Sequence, residues 1–312
     1  MLGPTASGKS ALAIALAERY GGEIISCDSA AVYRRFDIGT DKIAPADRRG
    51  IPHHLIDVVD PTDDYTAARF GRDAAAAVGE ILTRGRQPVL VGGTGFYFRA
   101  LTRGLFPGPA RDQALRDRLG QVAARRGAPF LHRMVARVDP ASAARIQPRD
   151  LVRLVRALEV YFLTGTPLTD HFAATVSPLP GMRTIGLLVD VPAPVLNERI
   201  ARRVEEQFRR GLIDEVRALV AAGVPVTARP FGSLGYRQAL DHLRGLRDEA
   251  ETRDLIVRET RHYARRQLIW FRKEPNLNTI PGPGERQAAL ESAARVVDRA
   301  LGASGARGEE NA

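Results

Sequence analysis

Short apolar runs alternate with segments of helical periodicity over the first third of the chain. The runs Glu23–Cys27 and Pro88–Val91 lie next to Gly-rich turns, as buried strands often do. Gly50–Asp57 has a Pro-marked entry and is interpreted as a further strand. Ser10–Arg19 is dense in strong helix formers, and Tyr65–Arg84 carries small apolar residues at helical spacing. This alternation predicts an α/β fold in which helices flank a parallel sheet.

The pattern changes near residue 109, where the strand signals stop. From residue 110 to about residue 170 the sequence has only helical signals, and we interpret residues 109–182 as an all-helical insertion domain. A buried strand predicted over Thr184–Asp190 returns the chain to the core, which then comprises residues 1–108 and 183–302. Further helices are expected over Val195–Gly211 and Asp254–Glu274, and residues 303–312 are expected to form a disordered tail.

The segment Gly3–Ser10 carries the strongest chemical signal in the chain. It reads G-P-T-A-S-G-K-S and fits the phosphate-binding loop pattern G-x-x-x-x-G-K-[ST]. Gly3 and Gly8 let successive backbone N–H groups point at one anion, Lys9 adds a positive charge, and the Ser10 hydroxyl is a ligand for Mg²⁺. The helix that follows directs its positive end at the same anion. The segment therefore predicts a phosphate site.

A phosphate-binding loop normally follows a buried strand, but only Met1 and Leu2 precede Gly3. Two interpretations remain open from the sequence: the strand is shortened to a stub, or the start of the chain is mis-set. In both cases the strand that leads into the loop lacks its usual length, which puts the stability of the chain in question.

Polar residues follow the predicted strands of the core. In open α/β sheets, ligands bind outside the carboxyl ends of the strands. Asp28 is therefore a candidate general base beside the phosphate, and the alternative is that it caps a following helix. Thr94, in the Gly-rich turn Gly92–Gly95, is a candidate ligand contact. Asp190 is either a carboxylate that holds Mg²⁺ or an ordinary residue at a strand end.

Arginine side chains are expected along one face of two helices. In the insertion domain, Asp150 is a candidate N-cap for a helix that runs to Gly165. The two rows are Arg149, Arg153 and Arg156 in that domain, and Arg258, Arg261, Arg265 and Arg272 late in the core. Such a row is either a solvated surface or a contact for a nucleic-acid backbone. Arg199, Arg202 and Arg203 lie in the position of a lid over the phosphate site.

The charge balance favours a polyanionic partner. The chain of 312 residues carries a formal net charge of +10, mostly from arginine, whose forked guanidinium suits phosphate. Nucleic acid is favoured over a membrane, and an arginine-rich proteome is the alternative explanation of the charge. The single cysteine, Cys27, excludes a disulfide framework. Because the sequence has neither a membrane-span nor a signal-peptide pattern, we expect a soluble cytoplasmic protein.

A series of short motifs carries a family resemblance. They are G-P-T-A-S-G-K-S at Gly3–Ser10, C-D-S-A-A-V-Y-R at Cys27–Arg34, D-I-G-T-D-K at Asp37–Lys42, G-I-P-H-H-L-I-D at Gly50–Asp57, G-G-T-G-F-Y at Gly92–Tyr97, R-A-L-E-V-Y at Arg156–Tyr161, G-Y-R-Q at Gly235–Gln238 and T-R-H-Y-A-R-R-Q-L-I-W-F-R at Thr260–Arg272. In this order and spacing, the set resembles the tRNA dimethylallyltransferase family, also called the IPP transferases.

The resemblance implies a reaction and its participants. A dimethylallyl group is transferred from dimethylallyl diphosphate to the exocyclic amine of the adenine 3′-adjacent to the tRNA anticodon. The phosphate-binding loop then binds the diphosphate of the prenyl donor and not ATP, with Mg²⁺ near Ser10. The adenine must leave its stack to react. The expected partners are tRNA, through its anticodon stem-loop, and dimethylallyl diphosphate, with the chain acting as a monomer.

The resemblance also assigns residues. The residues implied to bind diphosphate are Gly3, Pro4, Thr5, Ala6, Ser7, Gly8, Lys9, Ser10 and Arg203. The residues implied to contact tRNA are Asp28, Ser29, Ala30, Ala31, Thr94, Arg116, Val152, Arg153, Leu154, Val155 and Arg156. Of these, Asp28 is the expected general base, and Thr94 and Lys9 are the other expected catalytic residues.

The chain departs from the family pattern at two positions, and two other functions remain possible from the residues alone. Ala31 stands where the family usually has Gln, and Val152 where a polar residue is common. The first alternative is a small-molecule kinase that uses the loop for ATP, with Asp28 as base toward a hydroxyl. The second is a non-catalytic RNA-binding protein, which would not depend on Asp28.

Overall fold

The structure is a computed structural model that describes residues 1–106 and 108–308. It divides into two compact units, which we call the core unit and the helical unit. The core unit comprises Met1–Leu101 and Leu179–Ala312, and the helical unit comprises Thr102–Pro178. The predicted insertion domain, residues 109–182, and the helical unit have residues 109–178 in common.

The core unit is built on a parallel sheet. Its strands are β1 (Gly22–Cys27), β2 (His53–His54), β3 (Gln87–Gly92), β4 (Gly186–Asp190) and β5 (Leu277–Pro281). Strand β1 pairs with β2 on one side and with β3 on the other, and β4 pairs with β5. Leu2 bridges Gly92 and Leu188 and so joins the two halves of the sheet. The buried residue before the phosphate-binding loop therefore takes the central place in the sheet.

The helices of the core unit follow the strands or cover the sheet. They are α1 (Lys9–Tyr20), α2 (Ala67–Thr83), α3 (Gly95–Thr102), α9 (Ala193–Arg209), α10 (Leu212–Ala221), α11 (Tyr236–Leu243), α12 (Glu249–Phe271) and α13 (Gln287–Gly308), with short 3₁₀ helices at Pro45–Arg48 and Arg229–Gly232. Helix α12 begins with a capping box, in which Asp248 and Glu251 satisfy backbone N–H groups of its first turn. Its buried residues recur every three to four positions, as on one side of an amphipathic helix.

The helical unit is held together by capped helices around a small apolar core. Its helices are α4 (Gln113–Arg126), α5 (Ala128–Val138), α6 (Pro140–Arg145), α7 (Leu151–Thr164) and α8 (Leu168–Ala173). Asp150 caps α7, as the sequence predicts, by accepting the N–H of Arg153 at 3.2 Å, and Gly165 ends it in the left-handed conformation. The buried side of α7 includes Leu154 and Leu158.

Two predicted elements differ from the structure. The strand expected over Gly50–Asp57 is reduced to β2, because Pro52 has no N–H to donate and Leu55 and Asp57 adopt positive φ angles of 60° and 57°. Helix α13 extends to Gly308 and so includes residues 303–308, which we expected in a disordered tail. Residues 309–312 of that expected tail lie outside the described residues.

Candidate active site

The phosphate-binding loop Gly3–Ser10 runs from the centre of the sheet into α1. Gly8 precedes the helix with φ 81°, a conformation that favours glycine. A Cβ at Gly8 would lie 2.7 Å from the backbone nitrogen of Gly284, which donates a hydrogen bond to Ser7 O at 2.9 Å. The Lys9 ammonium donates to Pro4 O at 3.3 Å across the loop. The loop is therefore closed on itself and packed against the segment that follows β5.

The ends of β1 and β3 bring Asp28 and Thr94 together. Asp28 follows β1, and its Oδ1 accepts the N–H groups of Ala30 at 2.8 Å and Ala31 at 3.3 Å. Thr94 follows β3, donates its own N–H to Cys27 O at 3.2 Å and accepts the Ser29 N–H at its hydroxyl at 3.1 Å. Asp28 thus closes a turn and does not cap a helix. The two candidate catalytic residues lie together at the carboxyl ends of β1 and β3.

The close approach of these strand ends buries Cys27. A Cβ on Gly92 would lie 2.0 Å from Cys27 O, so only glycine fits beside β1 at this point. The Cys27 thiol is fully buried and donates to Thr94 O at 3.5 Å. Burial raises the pKa of Cys27 well above the usual range of a thiol.

A cleft of about 710 Å³ opens between the phosphate-binding loop, the β1 end and α12. Of the residues predicted from the sequence, the cleft is lined by Thr5, Lys9, Ser10, Asp28, Ser29, Ala30, Ala31 and Arg203. Thr94 contacts the lining residue Ser29. Gly3, Pro4, Ala6, Ser7 and Gly8 complete the loop behind this lining. Within the core unit, Lys9, Ser10 and Arg203, which are expected to bind diphosphate, therefore line the same cavity as Asp28, which is expected to act on adenine.

Positive charge is concentrated at the loop by α9. Arg199 donates to Ala6 O at 2.7 Å, and Arg203 donates to Thr40 O at 3.4 Å while pairing with Asp41 at 3.1 Å. Burial, reinforced by the positive charge of Arg203, lowers the pKa of Lys9 to about 8, although Asp28 and Asp41 act in the opposite direction. A dianionic ligand beside Lys9 would relieve this unfavourable environment.

The loop that carries Thr40 and Asp41 is fixed by side chains that the sequence analysis did not single out. Glu215 in α10 accepts the N–H groups of Asp37 at 3.1 Å and Ile38 at 2.8 Å. Tyr236 donates its hydroxyl to Glu215 and accepts the Gly39 N–H at 3.0 Å. The motifs D-I-G-T-D-K and G-Y-R-Q, which are far apart in sequence, are thus in direct contact.

A second unpredicted residue, Gln267, connects the phosphate-binding loop with the turn that carries Thr94. The oxygen of its side-chain amide accepts the Thr5 N–H at 2.9 Å, and the nitrogen donates to Gly93 O at 2.8 Å. The backbone N–H of Thr5 is therefore already engaged within the protein. Gln267 belongs to the motif at Thr260–Arg272, but nothing local in the sequence distinguishes it from the polar residues around it.

A metal ion would depend on few protein ligands. Among the residues that the structure describes, no three His, Cys, Asp or Glu side chains form a cluster suited to a metal. Asp190, a candidate ligand from the sequence, is paired with Arg272 at 3.1 Å. The Ser10 hydroxyl lines the cleft beside Lys9, which fits a cation completed by phosphate oxygens and water, the usual environment of Mg²⁺.

In the helical unit, Arg116 and Arg156 converge on one buried carboxylate. Arg116 forms a forked pair with Glu159, with both N–O distances at 2.7 Å, and Arg156 donates to Glu159 Oε2 at 2.7 Å. Burial alone would raise the pKa of Glu159, but these hydrogen bonds and one from the Asp112 N–H outweigh it and lower the pKa to about 2. Arg116 therefore has a structural partner inside its own unit.

The remaining residues of the predicted tRNA-contacting segment divide into exposed and buried side chains. Val152 is 78% exposed, and Arg153 is exposed and pairs with Asp150 at 3.3 Å. Leu154 and Val155 are buried among the helices. Only the first two, together with the half-buried Arg156, offer side-chain atoms to an external partner.

The family is decided by comparison with known proteins. A family model described as IPP transferase matches residues 31–274. The chain belongs to the IPP transferase family. The match covers the helical unit and α12 and includes Asp41, Thr94 and Gln267, whereas the phosphate-binding loop, β1 and Asp28 precede it.

Individual relatives of the IPP transferase family match almost the whole chain. A protein named tRNA dimethylallyltransferase from Solibacter usitatus is 49% identical over 302 residues, which are 96% of this chain and 97% of the relative. A tRNA dimethylallyltransferase from Geobacter metallireducens is 46% identical over 290 residues, 93% of this chain and 94% of the relative. The family resemblance predicted from the sequence motifs is confirmed.

Two solved structures share the fold. The full-length tRNA isopentenylpyrophosphate transferase from Bacillus halodurans has a TM-score of 0.72 and 34% identity, covering 100% of this chain and 98% of that chain. A eukaryotic dimethylallyltransferase, described as acting on tRNA, has a TM-score of 0.74 and 25% identity, covering 90% of this chain and 72% of that chain. The α/β fold predicted from the alternating pattern is confirmed.

Proposed function

We propose that this protein is a tRNA dimethylallyltransferase. It transfers a dimethylallyl group from dimethylallyl diphosphate to the exocyclic amine of the adenine 3′-adjacent to the tRNA anticodon. One observation supports this assignment beyond the family: a phosphate-binding loop with Lys9 and Ser10 lines the same cleft as the carboxylate of Asp28. A group that leaves as diphosphate and a nucleophile that must lose a proton require these two sets of side chains in one cavity.

The reaction follows from those positions. The exocyclic nitrogen of adenine attacks C1 of the dimethylallyl group, the C1–O bond breaks, and its electron pair leaves with diphosphate. The proton lost by the nitrogen goes to Asp28. Lys9, Arg203 and the N-terminal end of α1 bind the departing diphosphate and stabilise the charge that develops on it. Thr94, hydrogen-bonded to Ser29, keeps the turn after β1 in place beside the reacting amine.

Mg²⁺ is the metal that suits this site. Ser10 would hold it together with oxygens of the diphosphate, and when bound it neutralises part of the negative charge of the leaving group. The residues of the chain keep their roles around it: Lys9 and Arg203 contact the diphosphate, and Asp28 remains directed at adenine.

We further propose that the insertion domain, residues 109–182, contacts the anticodon stem-loop of the tRNA. The formal net charge of +10 and the exposed Arg153 and Arg149 support attraction to a phosphate backbone. The target adenine leaves its stack to enter the cleft. We expect the protein to act as a monomer in the cytoplasm, where tRNA is found. Among the residues that the structure describes, every helix is too short or too polar to cross a lipid bilayer.

Mass spectrometry of nucleosides tests the proposed function. An unmodified tRNA with adenine following the anticodon is incubated with the protein, Mg²⁺ and dimethylallyl diphosphate. Wild type should add a dimethylallyl mass to adenosine. Asp28→Asn should still bind tRNA and lose turnover by roughly 10²- to 10⁴-fold, the usual contribution of a general base. Asp60→Asn is the matched control, because Asp60 is an exposed residue that pairs with Arg34 on the surface at 3.2 Å.

Each outcome has a defined meaning. Prenylation by wild type and by Asp60→Asn, but not by Asp28→Asn, supports the reaction, the donor and the base together. Failure of folded wild type to modify any such tRNA would contradict the transferase. Hydrolysis of ATP by the wild type, without prenylation, would favour a kinase. Equal tRNA binding by wild type and Asp28→Asn, with no turnover by either protein, would favour an RNA-binding protein.

A further inference from the structure

Gln267 lies inside the core unit, at the wall of the cleft. Its side chain is 7% exposed and belongs to the buried side of α12, between Ala264 and Phe271. The side-chain amide forms two hydrogen bonds with backbone groups that are remote in sequence, Thr5 N–H at 2.9 Å and Gly93 O at 2.8 Å. A single buried side chain thus connects the phosphate-binding loop with the turn that carries Thr94.

Both backbone groups lie in turns, where neither a helix nor a strand provides a partner. A buried backbone group without a hydrogen-bond partner destabilises the fold, so each turn is held where the amide can reach it. A terminal amide offers one acceptor and one donor without carrying charge, which matches one N–H and one carbonyl. A carboxylate has no donor for Gly93 O, and an aliphatic side chain would satisfy neither group.

Gln267 is packed tightly against the backbone of Gly93. A Cβ at Gly93 would lie 2.2 Å from the nitrogen of the Gln267 amide, so the glycine is what allows the side chain to approach the backbone. Tyr263, one turn earlier in α12, lines the cleft and interacts with Gln267 as well. Gln267 therefore connects three segments: the phosphate-binding loop, the turn at Gly93 and α12.

We infer that Gln267 is a positioning residue, which fixes the distance between the diphosphate site and the turn carrying Thr94. This inference rests on the proposed function. Transfer requires the leaving group on the phosphate-binding loop and the amine beside Asp28 and Thr94 to be in line at the same moment. A misplacement of about 1 Å between reacting groups lowers rates by up to about 10²-fold. Gln267 acts on the reaction through the two turns it joins.

Steady-state kinetics of Gln267→Met test this role. Methionine has a similar length and no amide, so both hydrogen bonds are lost while the volume is kept. We expect kcat to fall on the order of 10- to 100-fold, with the KM values for tRNA and dimethylallyl diphosphate much less affected. Each binding surface is kept in this variant, but the distance between the two turns is no longer fixed. Gln267→Glu keeps the acceptor for Thr5 N–H and loses the donor to Gly93 O. It carries the kinetic test if the methionine variant does not fold.

Thr252→Val is the matched control on the same helix. Thr252 is fully buried, and its hydroxyl donates to Asp248 O at 2.7 Å within α12, at the end of the helix away from Gln267. This variant should lose thermal stability as the Gln267 variants do and keep the wild-type kcat. A kcat of Gln267→Met equal to that of wild type, or an equal fall in Thr252→Val, would overturn the inference.

Hydrogen exchange with inorganic diphosphate separates this inference from the proposed function. In wild type, inorganic diphosphate bound at residues 3–10 should slow exchange there and also at residues 92–97, because Gln267 transmits the ordering. In Gln267→Met, protection should be confined to residues 3–10. Equal protection of residues 92–97 in both proteins would overturn the coupling. If wild type fails to prenylate tRNA, the proposed function is lost, but this comparison still decides the role of Gln267.

Discussion

The hydroxyl of Thr94 accepts the backbone N–H of Ser29 at 3.1 Å, so the residue after β3 holds the residue next to Asp28. The reverse link also exists, because the Thr94 N–H donates to Cys27 O at 3.2 Å, one residue before Asp28. The carboxylate is therefore flanked on both sides by hydrogen bonds to a single threonine. This arrangement makes the position of Asp28, the proposed general base, depend on β3 as well as on β1.

Replacing Thr94 should therefore affect turnover more than substrate binding. Thr94→Val keeps the branched shape and removes the hydroxyl that accepts the Ser29 N–H. We expect kcat for tRNA prenylation to fall about 10- to 100-fold, since the turn bearing Asp28 is released. Thr94→Ser restores the hydroxyl and should recover most of the rate. Equal kinetics for the valine and serine variants would show that the hydroxyl is not used.

The lowered pKa of Lys9 predicts a pH dependence of donor binding. Its pKa of about 8 means that the ammonium is charged below that pH and loses its proton above it. Only the charged form attracts diphosphate, so the KM for dimethylallyl diphosphate should be constant below about pH 7.5 and rise above pH 8, approaching tenfold per pH unit. The measurement is a set of initial rates between pH 6.5 and about 9.5.

Lys9→Arg provides the control for this pH profile. An arginine side chain stays protonated throughout the range, so whatever affinity the variant retains should not change with pH. A rise in KM above pH 8 that is the same in both proteins would assign the pH dependence to the tRNA or the donor and not to Lys9.

Arg116 should contribute more to the stability of the fold than to the affinity for tRNA. Arg116→Ala removes the forked partner of the buried Glu159 and leaves Arg156 alone to balance it. We expect the free energy of unfolding to fall by about 1–3 kcal/mol. Arg153→Ala, at an exposed surface pair, should change it by about 0–1 kcal/mol. Denaturant unfolding and tRNA titration of both variants distinguish the two roles. A large loss of tRNA affinity in Arg116→Ala without loss of stability would assign it a direct contact.

The same carboxylate predicts a loss of stability in acid. The pKa of Glu159 is about 2 in the folded protein, below its usual value of 4.5. A lowered pKa stabilises the folded state above the unfolded pKa, and this contribution disappears as the pH falls toward about 2. It amounts to roughly 3 kcal/mol, from the difference between the two pKa values. Glu159→Gln should be less stable at neutral pH and lose less stability on acidification. An identical acid transition in both proteins would contradict this assignment.

Local signals in the sequence were sufficient for much of the fold. The phosphate-binding loop, the cap at Asp150 and the strands β1 and β3 depend on neighbouring residues, and the sequence predicts them directly. Strand β5 was not predicted, because only Ile280 in it is buried and its alternation is weak. It lies at the edge of the sheet, beside β4 alone.

The sequence did not reveal the long-range side-chain contacts that connect the segments of the site. Glu215 has the appearance of an ordinary acidic residue in the first turn of α10, yet its carboxylate holds a loop 177 residues away, at Ile38. Gln267 is similarly one of several polar residues in α12, and its partners lie 174 and 262 residues away. Such contacts arise from tertiary packing, which no local pattern encodes. The resemblance in motifs marked these segments without saying what each side chain touches.

The burial of Cys27 makes the protein its own reporter of unfolding. It is the single cysteine of the chain, and it is buried at the end of β1 beside Gly92 of β3. Thiol reagents react with the thiolate, which burial suppresses here, so modification requires this part of the structure to open. Each labelled molecule then records one opening of the structure at the carboxyl end of β1. A timed pulse of reagent, read as a mass increment on the intact chain, would follow that opening without any introduced probe.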